Sequence, residues 1–522
     1  MDAAGSSADA LAVRAGRIVA LGQADVRAMT GSRTELVDLR GRLLLPGFQD
    51  AHAHPVFGGL LRARCDLTAA SSAAGCLRIV GEHDGRGWVL GGGWDPALFP
   101  GGAPTATALD AVTGGRPAYL VNRDHHSVWV NTEALRLAGV DRGTPDPVDG
   151  WIERDADDRP SGTLHEGAAD LVARVLPEPD PPEYTAALLD AQRLMHAHGV
   201  VGWQDAIVGE YLGYADTLGT YRDLDRRGML TARVQGALWW DRRRGIEQVP
   251  DLVERRRLGR GDRFRAEHVK IMGDGVCENL TASMVQPYVG AHGCGLSYLS
   301  AEDLRSALAH LDAAGFSTHF HAVGDRAVRD ALDAVAAARA AHGPMGLRHQ
   351  IAHVQVVRDE DIGRFRELDV TANLQAAWAI NDAAMTELTI PRLGAARSGR
   401  QYPFRSLLDS GAPLAAGSDW PVSEIDPLAA VHAAVNRTVP AAAAEPFQPE
   451  QAIGLTDALA AHTRGAARAN GFAHETGSLE IGKAGDLVVL DRDLLRVPPD
   501  EIGRARVDLT AVDGVVVHDR LG

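Results

Sequence analysis

The sequence predicts an α/β chain: a (β/α)8, TIM-like barrel with a small β-sandwich domain built from both chain termini and an insertion after barrel strand 1. Three observations predict it. Eight short apolar runs of strand texture recur through the middle of the 522-residue chain. Ala- and Leu-rich segments of helical period lie between most of them, the alternation of a parallel sheet covered by helices. The two ends instead alternate apolar and polar residues between glycine turns.

The N-terminal part opens with "LAVRAGRIVALG" and "ELVDLRGRLLLPG", and the C-terminal "GSLEIGKAGDLVVLD" and "DLTAVDGVVVHDR" share that texture. Together they read as one sandwich over 1–46 and 474–522. The barrel is expected over 47–57 and 166–473. Its strands are "LLLPGFQDAHAH", "GVVGWQDAIV", "TARVQGALWW", "AEHVKIMGDG", "FSTHFHAVGD", "RHQIAHVQVV", "DVTANLQAAW" and "PLAAGSDWPV". Helices are expected in "AEDLRSALAHLDAAG", "AVRDALDAVAAARAA", "DEDIGRFREL" and "DPLAAVHAAV". Residues 58–165, rich in Gly and Pro, break the alternation and read as an insertion roofing the strand ends, where barrel enzymes build their sites.

Composition narrows the function. A formal net charge of −16 argues against nucleic acid or an anionic membrane as partner. The four cysteines are scattered without a C-x-x-C pair, so neither a zinc ribbon nor a disulfide framework is signalled. The N-terminus "MDAAGSSADA" has no basic and then apolar leader, and no long apolar run suggests a membrane span. The expectation is a cytoplasmic protein acting on a small molecule, with a homodimer allowed.

Polar clusters fall at the strand ends. His52 and His54 close the first strand, and residues two apart on a strand share a face, so both imidazoles reach one ion. The same letters at His196 and His198 end a helical pattern, where residues two apart diverge by about 200°, and read as structural. His321 sits at the rim of the fifth strand, with His319 one pleat deeper as a packed or supporting group. His349 and His353 are four apart and expected on one strand face, with His353 nearer the end. Asp419 ends the eighth strand, where a carboxylate both binds metal and takes a proton from water.

Lys270 lies inside an apolar strand, facing the same way as His268 and Met272. Its ordinary reading is a snorkelling or acid-paired lysine. A buried ammonium facing a metal is repelled and costly to desolvate. Carbamylation by CO2 removes that conflict by making an anionic bridging ligand. Substrate contacts are sought in the insertion and loops: Trp94, His125, His126, Trp129, Glu166, Gln204 and Trp378. Trp94 and Trp129 read more readily as core or lid packing. Glu166 reads also as an acid opening a helix, and His125–His126 as a brace for the lid.

Other chemistries lack their signatures. No G-x-S-x-G nucleophile elbow is present, and "GGGWDP" does not have dinucleotide-binding spacing. A non-catalytic metal-binding protein would be expected to carry a substituted ligand.

In order, "PGFQDAHAHP", Lys270, "HAVGD" with His321, "IAHVQ" with His353 and "GSDWP" with Asp419 resemble the amidohydrolase superfamily, and the flanks resemble its split sandwich. "DHHSVWVNTEALRLAGV", "GTLHEGAADLV" and "HAVGDRAV" resemble its amidohydrolase-3 branch, the group of the N-substituted formamide deformylases and YtcJ-like proteins. The resemblance implies metal-dependent hydrolysis, usually of an amide or formamide-like C–N bond. It implies one or two divalent ions, foremost Zn2+, on His52, His54, His321, His353, Asp419 and Lys270 as N6-carboxylysine, with Asp419 moving the proton. Deamination or cyclic-amide hydrolysis on the same site is the alternative. The His-x-x-Glu that deaminases carry at strand five is absent, since "HAVGD" has Asp325 four residues after His321. The family also has a further strand before "ALAVRAGRIVALG", so the sandwich is expected to be one strand short.

Overall fold

The computed structural model describes residues 5–440 and 444–521. Residues 1–4 and 522, the ends of the expected sandwich, and 441–443, in the expected barrel stretch, lie outside the described residues.

All eight expected barrel strands form. They are β1 (Phe48–Ala53), β2 (Val200–Val208), β3 (Arg233–Trp239), β4 (Phe264–Met272), β5 (Ser317–Ala322), β6 (Gln350–His353), β7 (Thr371–Leu374) and β8 (Leu414–Ala416). Neighbours pair in parallel in sequence order from β1 to β8. The ring closes just beyond β8, where Asp419 N–H donates to the His52 carbonyl at 2.7 Å and His54 N–H to the Trp420 carbonyl at 2.8 Å. Gly417 permits that approach, because a Cβ there would lie 2.5 Å from His52 N.

The helix Ala301–Ala313 shows how the sequence writes the outer layer. The Ser300 hydroxyl accepts from Asp303 N–H at 3.0 Å and caps the first turn, where Glu302 and Asp303 suit the helix dipole. Leu304, Ala307, Leu308 and Leu311 recur at helical spacing and are buried. Each such leucine contributes roughly 1.5–3 kcal/mol of burial.

The insertion is more than a glycine-rich roof. It contains a six-stranded mixed sheet in the order Cys65–Asp66, Val89–Trp94, Ala118–Asn122, Ser127–Val130, Pro160–Glu166, Gly150–Arg154. Its own core holds Trp94, Phe99, Leu109, Leu120 and Trp129. The short β-rich runs that build it were obscured by their Gly and Pro neighbours.

Both chain ends contribute to the terminal sheets. Leu11–Arg14 and Arg17–Leu21 form a hairpin, and Leu43–Pro46 joins Leu487–Leu490, Val507–Val512 and Val515–Asp519 in a four-stranded antiparallel sheet. Ile18, Leu479, Leu487 and Ala511 pack together between them.

Arg233 at the base of β3 ties this unit to the barrel. Its guanidinium meets Asp486 at 2.6 Å, Asp513 at 2.5 Å and Glu475 at 3.3 Å, and it is 4% exposed. Arg233→Ala strands those carboxylates. It is expected to cost about 3–5 kcal/mol in a denaturant titration. A loss near zero would mean that the ion cluster carries no net stability.

The four cysteines are free thiols. Among the described residues no helix is long and apolar enough to cross a membrane.

Candidate active site

The C-terminal ends of the barrel strands bring the expected ligand side chains together. From β1 and its end, His52 Nε2 and His54 Nε2 each stand 3.2 Å from Asp419 Oδ1. His353 Nδ1 is 3.9 Å from Asp419 Oδ2. The His321 and His353 ring centres are 4.3 Å apart, and those of His52 and His353 are 4.9 Å apart. His321 Nε2 donates to the Gly275 carbonyl at 3.2 Å, which leaves Nδ1 as its open nitrogen. Lys270 stands level with His319 in the β4–β5 register, and Asp419 and Asp205 are the acids acting on it. All six side chains are buried.

The charges suit a cation. Burial alone would raise Asp419, but the His54 hydrogen bond and the charges of His353, His54 and Lys270 outweigh it and hold the carboxyl below its usual range. Burial first, then neighbouring positive charge, pushes His52, His321 and His353 well down, so they stand as neutral imidazoles. Burial lowers Lys270 to about 7, against the opposing pull of Asp419 and Asp205.

His52, His54 and Asp419 each turn a donor atom to one point, within 4.8 Å of one another. Both ring nitrogens of His353 and Nδ1 of His54 are buried with no hydrogen-bond partner among the described residues. Unsatisfied neutral imidazole nitrogens around a carboxylate, in a buried site, fit a borderline divalent metal ion.

The backbone supports the same centre. Asp419 and His353 adopt φ of +57° and +75°, a region costly for non-glycine residues and held here by the surrounding strands. Strain of this kind clusters at functional sites. A cavity of about 630 Å3 opens beside it, walled by Leu61, Trp378, Trp420, Ile425, Asp124 and Glu278. That is the size of a small-molecule site.

The model of the Amidohydrolase family matches residues 35–518. The chain belongs to the amidohydrolase family. It falls in the amidohydrolase-3 branch. This amidohydrolase is 32% identical over 501 residues to the Arabidopsis thaliana protein LONG AFTER FAR-RED 3, covering 92% of this chain and 84% of that one. It is 28% identical over 546 residues to N-substituted formamide deformylase of Arthrobacter pascens, covering 100% and 97%. Among solved structures, an uncharacterized metal-dependent hydrolase from Pyrococcus horikoshii OT3 superposes with a TM-score of 0.73 at 26% identity, covering 94% of each chain. Family, solved neighbour and donor set together support a metal-dependent hydrolase.

Several expected residues sit elsewhere in the amidohydrolase. Trp94 and Trp129 do not face the site. Both are fully buried in the insertion's core with Phe99, and their indole N–H groups donate to the carbonyls of Leu120 and Thr105 at 2.9 and 2.8 Å. Gln204 is not a substrate contact either. It lies within the barrel, bonded to His319, to His268 at 2.6 Å and to Gln350 at 2.9 Å.

His349 and His353 do not share a strand face. His349 turns outward to Thr318 at 2.7 Å and Asp312 at 3.2 Å, while Gln350 points in. The positive φ at His353 breaks the two-residue period and swings it inward.

Glu166 ends a strand rather than capping a helix with its side chain, and both its oxygens lie 3.0 Å from His126 Nδ1. His125 stacks against Phe57 and Tyr214, at ring separations of 6.3 and 6.0 Å, and faces His54. Trp378 stacks on His353 at 5.1 Å and lines the cavity. His196 and His198 stay structural: His196 bonds Val200 O and Thr231 at a helix end, and His198 faces Asp426.

The supporting network extends beyond the expected His319. His319 Nε2 is 2.8 Å from His52 Nδ1. Below it, Gln204, Gln350, Asn373 and Gln375 form a chain that ends on the His353 N–H. It couples the placement of His52 and His353. The signal was present as polar residues punctuating apolar strands, each facing inward.

The His126–Glu166 pair makes stability depend on pH. Burial would lower His126, but the charge and hydrogen bond of Glu166 outweigh it and raise the ring from 6.5 to about 9. Glu166 is held below its usual range, since His126 and Arg242 outweigh its burial. The stability contributed by His126 is therefore full below pH 6.5 and lost as pH rises through about 9. The stability gap between wild type and Glu166→Gln, from urea unfolding, is expected to shrink by roughly 2–3 kcal/mol between about pH 6 and about pH 10. A constant gap would contradict the pairing.

Proposed function

We propose that this amidohydrolase cleaves a C–N bond, amide or formamide-like, in a small molecule. One observation carries the reading: Asp419 stands within 3.2 Å of both His52 and His54 while the buried nitrogens of His353 have no partner. His52, His54 and Asp419 would hold one divalent ion, for which Zn2+ suits the ligands, and His321 with His353 a second. When bound, such ions acidify water and polarise a carbonyl. Asp419 faces both sets, so its carboxylate is placed to accept the proton of the attacking water and return it to the leaving nitrogen. At about 7, Lys270 keeps much of its amine unprotonated near neutral pH, the form that CO2 captures as a carbamate. The aromatic wall of Trp378 and Trp420 suits an apolar substituent.

The similarity to a formamide deformylase, spanning the whole chain, supports C–N over C–O cleavage. Deamination is less favoured, because no Glu follows His321 in "HAVGD". A panel of N-formyl and N-acyl amines, with free amine and free acid measured together, tests the reading. Equal release of both supports it, whereas ammonia from ring substrates with no acid would sink it in favour of deamination.

A further inference from the structure

His126 and Glu166 meet at the seam between the inserted sheet and the barrel. Each is 4% exposed. Glu166 N–H donates to the His126 carbonyl at 2.9 Å, and both carboxylate oxygens lie 3.0 Å from His126 Nδ1. The His126 backbone N–H is fixed in turn by Asn122 Oδ1 at 3.0 Å and Asp124 Oδ1 at 2.9 Å. Glu166 has little room to move: a Cβ on Gly275 would sit 2.4 Å from its Oε1. Arg242, anchored to Asp149 at 2.6 Å and lying 4.1 Å over the Tyr298 ring, adds its charge on the same side. Glu166 itself is held at φ +53°, a strained geometry for a glutamate.

A carboxylate only accepts, so His126 Nδ1 carries the hydrogen of that bond. Nε2 is then the ring's remaining polar atom, on the side away from Nδ1. The ring centre lies 5.2 Å from that of His321, and its charge acts on His54, His321 and Asp419. A lid brace alone would not need a polar ring set against His321.

Resting on the C–N reading, we propose that His126 is a catalytic residue that hydrogen-bonds the scissile amide through Nε2, and that Glu166 is the positioning residue that aims it. No bond is made or broken at His126. Its effect is electrostatic, on charge developing at the amide in the transition state.

Two near-isosteric substitutions separate the ring nitrogens. His126→Asn keeps an N–H near Nδ1 for Glu166 and removes Nε2, and His126→Gln does the reverse. On an amide that the wild type turns over, His126→Asn is expected to lose about 10²–10³-fold in kcat. Its KM should change by less than about threefold, with metal content near wild type and the fold retained by circular dichroism. His126→Gln should keep more kcat than His126→Asn. Glu166→Gln gives an independent reading: kcat falls, and in the double variant with His126→Asn it falls no further.

Wild-type kcat in His126→Asn or in Glu166→Gln overturns the proposal, as does additive loss in the double variant. If the wild type releases amine from no amide, the C–N reading falls first, and that result is distinct from an active wild type with an indifferent His126.

Discussion

Asp419→Asn will leave the barrel folded and reduce kcat by about 10²–10⁴-fold, the range for a lost general base. The substitution isolates the carboxylate. Asp419 holds φ +57°, and asparagine tolerates that region better than other residues of similar size. Its backbone N–H still reaches the His52 carbonyl, so the closure between β8 and β1 is retained. The charge that His52, His54 and His353 share is lost, and with it the acceptor for a proton. Circular dichroism and kcat measured together check this, and a folded variant with normal kcat would remove Asp419 from the mechanism.

Lys270→Ala is the second large effect. The lysine is buried among His52, His319, His321 and His353, and its positive charge lowers all four. As an ammonium it opposes cation binding, and as a carbamate it supports it. If it is carbamylated, its removal should drop the bound metal by about one ion per chain and kcat by at least about 10²-fold. If Lys270 stays a plain ammonium, removal should tighten metal binding instead. Metal analysis beside kcat distinguishes the two, and full occupancy with full activity would rule out a bridging role.

The barrel was legible because each strand is a short apolar run closed by a turn and followed by a helical period, and all eight formed where those runs lie. The convergence of His52 and His54 on Asp419 was legible for the same reason, since the two-residue strand period puts both histidines on one face. That rule failed at β6. A single left-handed residue, His353, turned the side chain inward, and no periodicity encodes such a break. The strands inside the insertion were not legible because glycines and prolines dilute segments that pair across long gaps, Ser127–Val130 with Pro160–Glu166 among them. Of the two readings open for Trp94 and Trp129, packing is the one seen, since both sit with Phe99, Leu109 and Leu120 in the insertion's core. Gln204 was sought as a substrate contact, but the two-residue alternation of β2 sends it into the barrel to meet His319 and His268. Glu166 meets His126 from a separate strand, and a pairing of that kind shows only once the chain is folded.

The central claim is that the cluster of His52, His54, His321, His353 and Asp419 binds divalent metal and that this binding drives C–N cleavage. The most direct test strips the purified protein with a chelator and titrates Zn2+ back, measuring bound metal and free amine from a responsive N-formyl or N-acyl amine in the same samples. Amine release should vanish on stripping and return in step with occupancy. Undiminished release from the stripped protein, or full occupancy with no release from any amide, would contradict it.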